Sequence, residues 1–464
     1  VAGEFNRWRG RAAAAVLGAL GVLAVAPAAP AAEAGLAAFV ATPDPALAWA
    51  TRQTGRVRGA RYRELVLTSQ RWQGEPWRHQ FFVVCPGNAV PGRPALLAIA
   101  GGNWRDRYLA PPDRPRAPLG TGLYRDLARR IRAPVAVLLQ VPAQPLLGGL
   151  TEDALIAATF ARYLDGAGAD WPLLLPMAKA GSAALTALAA VAADDCGVRP
   201  ERFIVTGASK RGWTAWLLAA ADPRVAGLAP TVFDAVRLDA HVAHQASAWG
   251  ELSGLLKVYA PLVERLDTPA GQALLELVDP WRHRARLAMP KLIVLGTSDA
   301  YFPADSAGLY VDGVAPASLL YLPNQGHAAR DPQRIAAGLA ALADAGAAGA
   351  PLPAPGLTAT VVDAVAEVRV TAPAPVRGLR LWVARSPDGV FRAEPWVDQR
   401  LRRTGDGRFT ASVPLAGGYV AVFGEAEFGR WGRRYRLSTP LVRIGPAGVV
   451  AVGGVSAPGP GGSR

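Results

Sequence analysis

The sequence predicts an α/β fold, a mostly parallel sheet with helices on both faces, followed by a small C-terminal β-sandwich. Three observations predict it. Short apolar runs alternate with helical stretches through the middle of the chain, the pattern of a parallel sheet covered on both sides. Beyond an Ala/Pro/Gly-rich break at Gly349–Leu357 the hydrophobic period falls to two. The chain has 464 residues, 51% of them hydrophobic, enough for one large domain and a smaller one and too apolar for wholesale disorder.

The first element is a targeting segment. Arg7, Arg9 and Arg11 precede an apolar run from Ala12 to Ala26, and Ala29-Pro30-Ala31 and Ala32-Glu33-Ala34 each offer a small-residue cleavage site. This is the layout of a secretory signal peptide over residues 1–34; an uncleaved anchor or a buried Ala-rich helix is the alternative. The run of 15 residues is short of the roughly 20 that span a bilayer. No later uncharged stretch reaches that length. The expectation is a secreted or periplasmic protein with no stable membrane insertion after cleavage.

The formal charge is +14, and only four of the 50 basic residues are lysine. Residues 1–34 carry a net +1, so a chain cut there keeps about +13. The arginines are scattered, with no block of like charge, which argues against nucleic acid and leaves contact with anionic envelope polymers open. Cys85 and Cys196 are the two cysteines, too few for a disulfide scaffold or a cysteine-built zinc site. Export would let them pair; two buried free thiols fit the sequence equally well.

Residues 36–85 hold Pro-marked turns and two strand-like runs, Tyr62–Thr68 and Gln80–Val84. Buried strands follow at Ala95–Ala100, Pro134–Val141, Arg202–Thr206, Val225–Val232, Lys291–Leu295 and Ser318–Leu322. Helical periodicity marks Glu152–Leu164, Ala178–Ala193, Gly212–Ala221 and the closing Pro332–Ala345. Ala240–Val263 is largely helical, and a cap-like insertion is expected over about residues 235–285. The large domain is thus 35–348 and the linker 349–357. Residues 358–446 carry short strands at Thr358–Thr360, Ala366–Thr371, Leu379–Ala384, Arg408–Val413, Tyr419–Phe423 and Tyr435–Leu437. Turn signals such as Pro387-Asp388-Gly389 and Gly405-Asp406-Gly407 part them. Residues 447–464 read as a loose tail. The sequence has no internal repeat.

The segment richest in chemistry is Val205-Thr206-Gly207-Ala208-Ser209-Lys210-Arg211-Gly212-Trp213. An apolar strand runs into Gly-x-Ser and then directly into a helix, the setting of a nucleophile elbow that lifts a serine hydroxyl above the sheet. The usual fifth residue is glycine; here it is Arg211. Read by itself, Ser209 could equally be a helix N-cap. A nucleophilic serine needs a base, and His327 follows a strand through the loop Pro323-Asn324-Gln325-Gly326. Asp299, in Gly296-Thr297-Ser298-Asp299 after the preceding strand, could orient that imidazole; Asp305 in the same loop is the second choice. The order Ser209, Asp299, His327 is that of the α/β-hydrolases. Oxyanion donors would be the Lys210 N–H and an N–H of the loop Gly101-Gly102-Asn103. The side chains of Lys210 and Arg211 could receive a substrate carboxylate or phosphate, or form structural ion pairs.

His241 and His244, with Asp234 and Asp239 nearby, share a helix face and invite a metal reading, but no third ligand has a recognised spacing. A partly buried cap helix is the expected alternative. The tryptophans read as core. No metal or organic cofactor is implied.

These residues resemble the PhoPQ-activated pathogenicity-related protein family. The resemblance rests on the Ser209 segment and on Trp171-Pro172-Leu173-Leu174-Leu175-Pro176-Met177, with support from Leu67-Thr68-Ser69-Gln70, Trp72, Glu152-Asp153-Ala154 and Pro323-Asn324. It covers roughly residues 36–345. It implies an α/β-hydrolase-like fold and export, and makes Arg211 a family trait. Members are peptidase-like proteins or secreted regulators of growth or virulence, so the resemblance implies fold and location more than a reaction. The expected function is an exported serine hydrolase acting on a small-molecule or peptide ester or amide; the alternative is a non-catalytic secreted binding or signalling protein.

Overall fold

The computed structural model describes residues 35–114, 116–404 and 408–452. The expected signal peptide, most of the expected tail and the Gly405-Asp406-Gly407 turn lie outside the described residues.

An antiparallel meander opens the sheet: β1 (Ala48–Val57), β2 (Ala60–Trp72) and β3 (Glu75–Cys85). Six parallel strands follow, β4 (Ala95–Ile99), β5 (Val135–Leu138), β6 (Phe203–Ala208), β7 (Val225–Thr231), β8 (Lys291–Gly296) and β9 (Ala317–Leu322). Their spatial order is β1-β2-β3-β5-β4-β6-β7-β8-β9. β4, β5 and β8 are buried at every position. Alternate side chains therefore go to two apolar layers. Leu97, Ile99, Val205 and Ile293 join α4 (Leu174–Cys196) and α5 (Lys210–Ala221) on one face. Leu96, Ala98, Ile204 and Leu292 join α2 (Thr121–Ile131) and α9 (Pro332–Ala348) on the other. The remaining helices are α1 (Leu36–Ala41), α3 (Glu152–Leu164), α6 (Leu238–Trp249), α7 (Ala260–Val263) and α8 (Pro269–Val278). α6 to α8 lie between β7 and β8, where the cap-like insertion was expected.

β4 has β5 on one side and β6 on the other. The chain thus changes its direction of travel across the sheet at β4. Such a switch point opens a crevice beyond the carboxyl ends of the flanking strands. The loop after β4 begins at Ala100 and the turn after β6 is Ser209, so the strand order itself brings both to one crevice.

α4 is long and apolar enough, by length and composition, to cross a membrane. Here it is a core helix, packed on β2, β3 and α5. Its last residue, Cys196, forms a disulfide with Cys85 at the end of β3. The free-thiol alternative gives way to this bond.

The C-terminal strands are β10 (Gly356–Val362), β11 (Val365–Thr371), β12 (Gly378–Ser386), β13 (Val397–Gln399), β14 (Arg402–Arg403), β15 (Phe409–Pro414), β16 (Tyr419–Phe428), β17 (Tyr435–Ser438), β18 (Val442–Gly445) and β19 (Gly448–Val450). They form two layers. β10, β11, β15 and β14 make a separate four-stranded sheet. Its Ala366, Val368, Val370 and Val413 pack against Leu381, Val383, Val420 and Ile444 of the other layer. That other layer is not detached: Ser438 of β17 pairs with Leu319 of β9, continuing the central sheet through β17, β16, β12 and β13. Leu352, inside the expected linker, is buried with the α9 face. The break at 349–357 therefore marks a change from parallel to antiparallel pairing, within one compact unit of the described residues.

The disulfide spans 111 residues. Closing a loop of that length in the unfolded chain is worth about 5 kcal/mol. The double variant Cys85→Ser/Cys196→Ser should lose about that much in denaturant unfolding, and reduction of the unsubstituted chain should give the same shift; unchanged midpoints would show that the bond does not form.

Candidate active site

Ser209 stands between β6 and α5 with φ 57° and ψ −127°. That conformation is sparsely populated for a residue with a side chain. The surroundings hold it there. The Ser209 N–H donates to Thr231 O at 2.8 Å, and its carbonyl accepts from Trp213 N at 3.0 Å, the first turn of α5. Gly207 is required because a Cβ there would lie 2.4 Å from the carbonyl oxygen of Arg211.

The structure brings together the three side chains expected from the sequence. Ser209 Oγ is 2.8 Å from Nε2 of His327. His327 Nδ1 lies 2.9 Å and 3.1 Å from the two carboxylate oxygens of Asp299. Asp299 is 5% exposed, and its Oδ1 also accepts from the Tyr301 N–H at 2.8 Å, which leaves the carboxylate little freedom to turn. The Tyr301 ring lies over the imidazole with centroids 4.0 Å apart. Asp305, the second choice, is elsewhere: buried, it binds His244 Nε2 at 2.9 Å and the Arg443 guanidinium at 2.6 Å.

The expected oxyanion donors lie on the exits of two neighbouring strands, β4 and β6. The Lys210 N–H belongs to the first turn of α5, where no intrahelical acceptor exists. Gly102 has φ 117°, open only to glycine, and the N–H groups of Gly102 and Asn103 meet no acceptor among the described residues. The Asn103 side chain accepts from Gln144 Nε2 at 3.1 Å.

The basic side chains of the elbow do something other than receive a substrate anion. Arg211 is buried and forms a two-pronged pair with Glu152, both bonds at 2.7 Å, while its Nε donates to Val141 O at 2.6 Å. A Cβ on Gly101 would lie 2.4 Å from this guanidinium. Arg211 thus fills the space beneath the loop after β4, in the structural ion pair that was the other of its two readings. Burial alone would raise the Glu152 carboxyl, but the Arg211 bonds and charge, with Gln144 and Lys210, bring it down to about 2. Lys210 Nζ binds Asp153 at 2.9 Å, and Tyr259 OH donates to the other oxygen of Asp153 at 2.9 Å. Its side chain too is committed to a protein carboxylate. Glu152 and Asp153, quoted only for the family resemblance, are therefore the partners that sequence reasoning missed; nothing in their spacing announces a long-range pair.

His241 and His244 do not converge on a common point. His244 serves Asp305, His241 contacts Gln245, and Asp234 accepts from Tyr310 OH at 2.5 Å. Asp239 accepts from the Ala240 N–H. Among the described residues no three His, Cys, Asp or Glu side chains are grouped as metal ligands.

Ser209 and Lys210 open onto a cavity of about 120 Å³. Its wall is mostly apolar, built by Trp213 and Phe233 from the body and by Leu256, Leu262, Leu274 and Val278 from the cap. A mostly apolar wall with a few convergent polar groups is the usual lining of a small-molecule site.

The strand order, the switch point and a serine on a tight strand-to-helix turn define an α/β-hydrolase-fold protein. The sequence matches that of the PhoPQ-activated pathogenicity-related proteins over residues 36–392, and the chain belongs to this family. It is 29% identical over 282 residues to autocrine proliferation repressor protein A of Dictyostelium discoideum, 58% of this chain and 55% of that protein, so it spans about half the length of that relative. Among solved structures it is similar to acetyl xylan esterase 1 from Thermoanaerobacterium sp., at 19% identity and TM-score 0.40 over 64% of this chain and 88% of that one. It is also similar to an S-formylglutathione hydrolase from Agrobacterium tumefaciens, at 16% identity and TM-score 0.40 over 63% and 98%.

Burial holds His241 down to about 3 and His79 to about 4, against an ordinary 6.5. Both are depressed, so the unfolded chain takes up protons below pH 6.5 that the folded chain refuses. The stability they contribute is full above pH 6.5 and is lost as pH falls toward 4 and 3. Asp279, pushed by burial up to about 6, has the opposite sign and adds stability as pH falls from 6 toward 3.8. A nitrogen-15 NMR titration should find both imidazoles neutral at pH 5; a ring titrating near 6.5 would contradict this burial.

Proposed function

We propose that this chain is a serine hydrolase cleaving an ester or amide of a small molecule or peptide. The observation that carries the reading is the continuous hydrogen-bonded series Ser209–His327–Asp299 opening onto an apolar cavity. In this reading Ser209 Oγ attacks the carbonyl carbon while His327 Nε2 takes its proton. Asp299 holds the Nδ1–H tautomer and stabilises the imidazolium. The carbonyl oxygen becomes an oxyanion facing the Lys210 N–H and the amides after Gly101, donors already in place before charge develops. His327 then returns the proton to the leaving alcohol or amine, and water repeats the cycle on the acyl-serine.

The Cys85–Cys196 bond supports an exported location, since such bonds persist in oxidising compartments. A second reading, a secreted regulator that binds without turnover, is favoured by the similarity to the Dictyostelium autocrine proliferation repressor protein A.

One experiment separates them. A fluorophosphonate reagent should label Ser209 in the unsubstituted chain and not in Ser209→Ala. Turnover of a p-nitrophenyl ester should fall about a million-fold in Ser209→Ala, and about ten-thousand-fold in Asp299→Asn, with melting temperatures little changed. Well-folded protein that takes no label would favour the binder.

Glu152→Ala should lower kcat about ten- to a hundredfold through a loosened oxyanion loop, with KM moved less. An unchanged kcat would separate the Arg211 pair from that loop's geometry.

A further inference from the structure

Trp431 is 89% exposed, and it stands among arginines. It sits on the turn between β16 and β17, in Gly429-Arg430-Trp431-Gly432-Arg433-Arg434. The turn is built to hold the ring out. The Arg433 N–H donates to Arg430 O at 2.9 Å, which puts Trp431 at the first corner, and Gly432 takes the second with φ 74°. Below the turn the stacked rings of Phe428 and Tyr435, with centroids 5.7 Å apart, close the hairpin. Arg377 Nε donates to Gly429 O and Arg130 Nη2 to Arg434 O, both at 3.1 Å, so both legs of the tip are tied to the body. The Arg434 guanidinium lies 5.2 Å from the centre of the indole. An indole presented in this way, apolar in body and polar at one edge, suits a boundary between water and an apolar phase.

The charge around the tip is positive. Asp344 serves both Arg93 and Arg433, and Glu427 both Arg434 and Arg436. Arg130 and Arg377 are bonded to backbone carbonyls and, with Arg430, pair with no carboxylate among the described residues. Burial and then the charge of Arg433 hold the Arg130 guanidinium below its ordinary value, with Asp344 offsetting only part. The cations therefore repel one another, and an anionic partner would relieve them. Arg93 stands just before β4, whereas Ser209 follows the end of the neighbouring parallel strand β6. The arginine cluster and the cavity are thus at opposite ends of the strands.

We propose that the Trp431 turn docks this protein on the surface of an anionic phospholipid bilayer. The arginines meet the headgroup phosphates, and the indole enters the interfacial layer, where amphipathic rings collect. A polar polymer of the same charge would satisfy the arginines and give the indole no apolar depth, so the combination selects the bilayer. One ring and a few charges make a peripheral, reversible and salt-sensitive attachment. The inference is independent of the hydrolase reading, since the serine and its cavity take no part in the contact.

The test is co-sedimentation of the full chain with vesicles of phosphatidylcholine, with and without phosphatidylglycerol. The anionic vesicles should bind about tenfold more tightly. Salt near 1 M, where the screening length falls to about 3 Å, should remove that preference. Trp431→Ala should weaken binding to the anionic vesicles about tenfold, and Arg430→Ala about fivefold, with melting temperatures unchanged because both side chains are exposed. A phosphatidylcholine brominated in its acyl chains, mixed into the anionic vesicles, should quench tryptophan fluorescence more in the unsubstituted chain than in Trp431→Ala, a readout local to the tip. Equal binding to neutral and anionic vesicles, an unchanged affinity in Trp431→Ala, or equal quenching in the two chains would overturn the inference. If Trp431→Ala leaves vesicle binding intact while Arg430→Ala weakens binding both to vesicles and to soluble polyphosphate, the cluster is a polyanion site and the bilayer inference falls.

Discussion

One guanidinium organises the site. Arg211 sits two residues beyond Ser209, where glycine is usual in an elbow, and its side chain reaches back under the loop after β4. It touches the carbonyl of Val141 after β5, the carboxylate of Glu152 at the start of α3, and the space beside Gly101. Three segments that converge only because of the switch at β4 are thus tied to the residue that shapes the serine turn. A bidentate arginine pair fixes direction as well as distance. A lysine there would keep the charge and lose that geometry. The departure from the common motif therefore ties the loop after β4 and the serine turn in fixed relation through a side chain.

A second set of contacts steadies the other half of the site from the C-terminal strands. Asn324, three residues before His327, exchanges two hydrogen bonds with the backbone of Trp396, at 2.8 Å and 2.7 Å. Arg392 donates to Ala300 O at 2.8 Å, next to Asp299. Arg443 pairs with Asp305 in the same loop. The Asp299 and His327 loops leave the sheet at adjacent strands and are tied to each other by Ser298 N–H to Gln325 O at 3.0 Å and Asn324 N–H to Thr297 Oγ1 at 2.8 Å. Bonds from a segment continuous with the central sheet hold the joined pair from a second side. This gives the antiparallel extension a positioning role without placing any of its atoms at the serine.

Much of this was legible in the sequence, and the boundary between legible and hidden is physical. β4 to β9 stand out because strands buried on both faces are short unbroken apolar runs. Ser209, Asp299 and His327 stand out because each follows such a run. β1 did not, since it is an edge strand with polar, exposed residues and no alternation to betray it. α2 was passed over because Arg125, Asp126, Arg129 and Arg130 leave only a narrow apolar stripe, Leu127, Ala128 and Ile131, in a short polar segment. Continuity of the last strands with the central sheet depends on the pairing of Ser438 with Leu319, a contact between remote positions that local pattern does not encode. The same holds for Arg211 with Glu152. A charge in a sequence declares itself; its partner 59 residues away does not.

The fate of the charges near the serine bears on what the cavity selects. Lys210 is the elbow cation nearest the open space, and Asp153 neutralises it while also accepting from Tyr259 on the cap. Burial and the adjacent Asp153 hold the Tyr259 hydroxyl well above its usual range, so it stays a donor. One carboxylate therefore joins the floor of the cavity to its roof and removes the only ammonium in the wall as a free anchor. Apart from Ser209, His241 and Tyr301, what remains facing the cavity is apolar surface, where discrimination comes from shape and buried area. A site so arranged rewards an uncharged apolar group, and the net positive charge of the surface says nothing about what enters it.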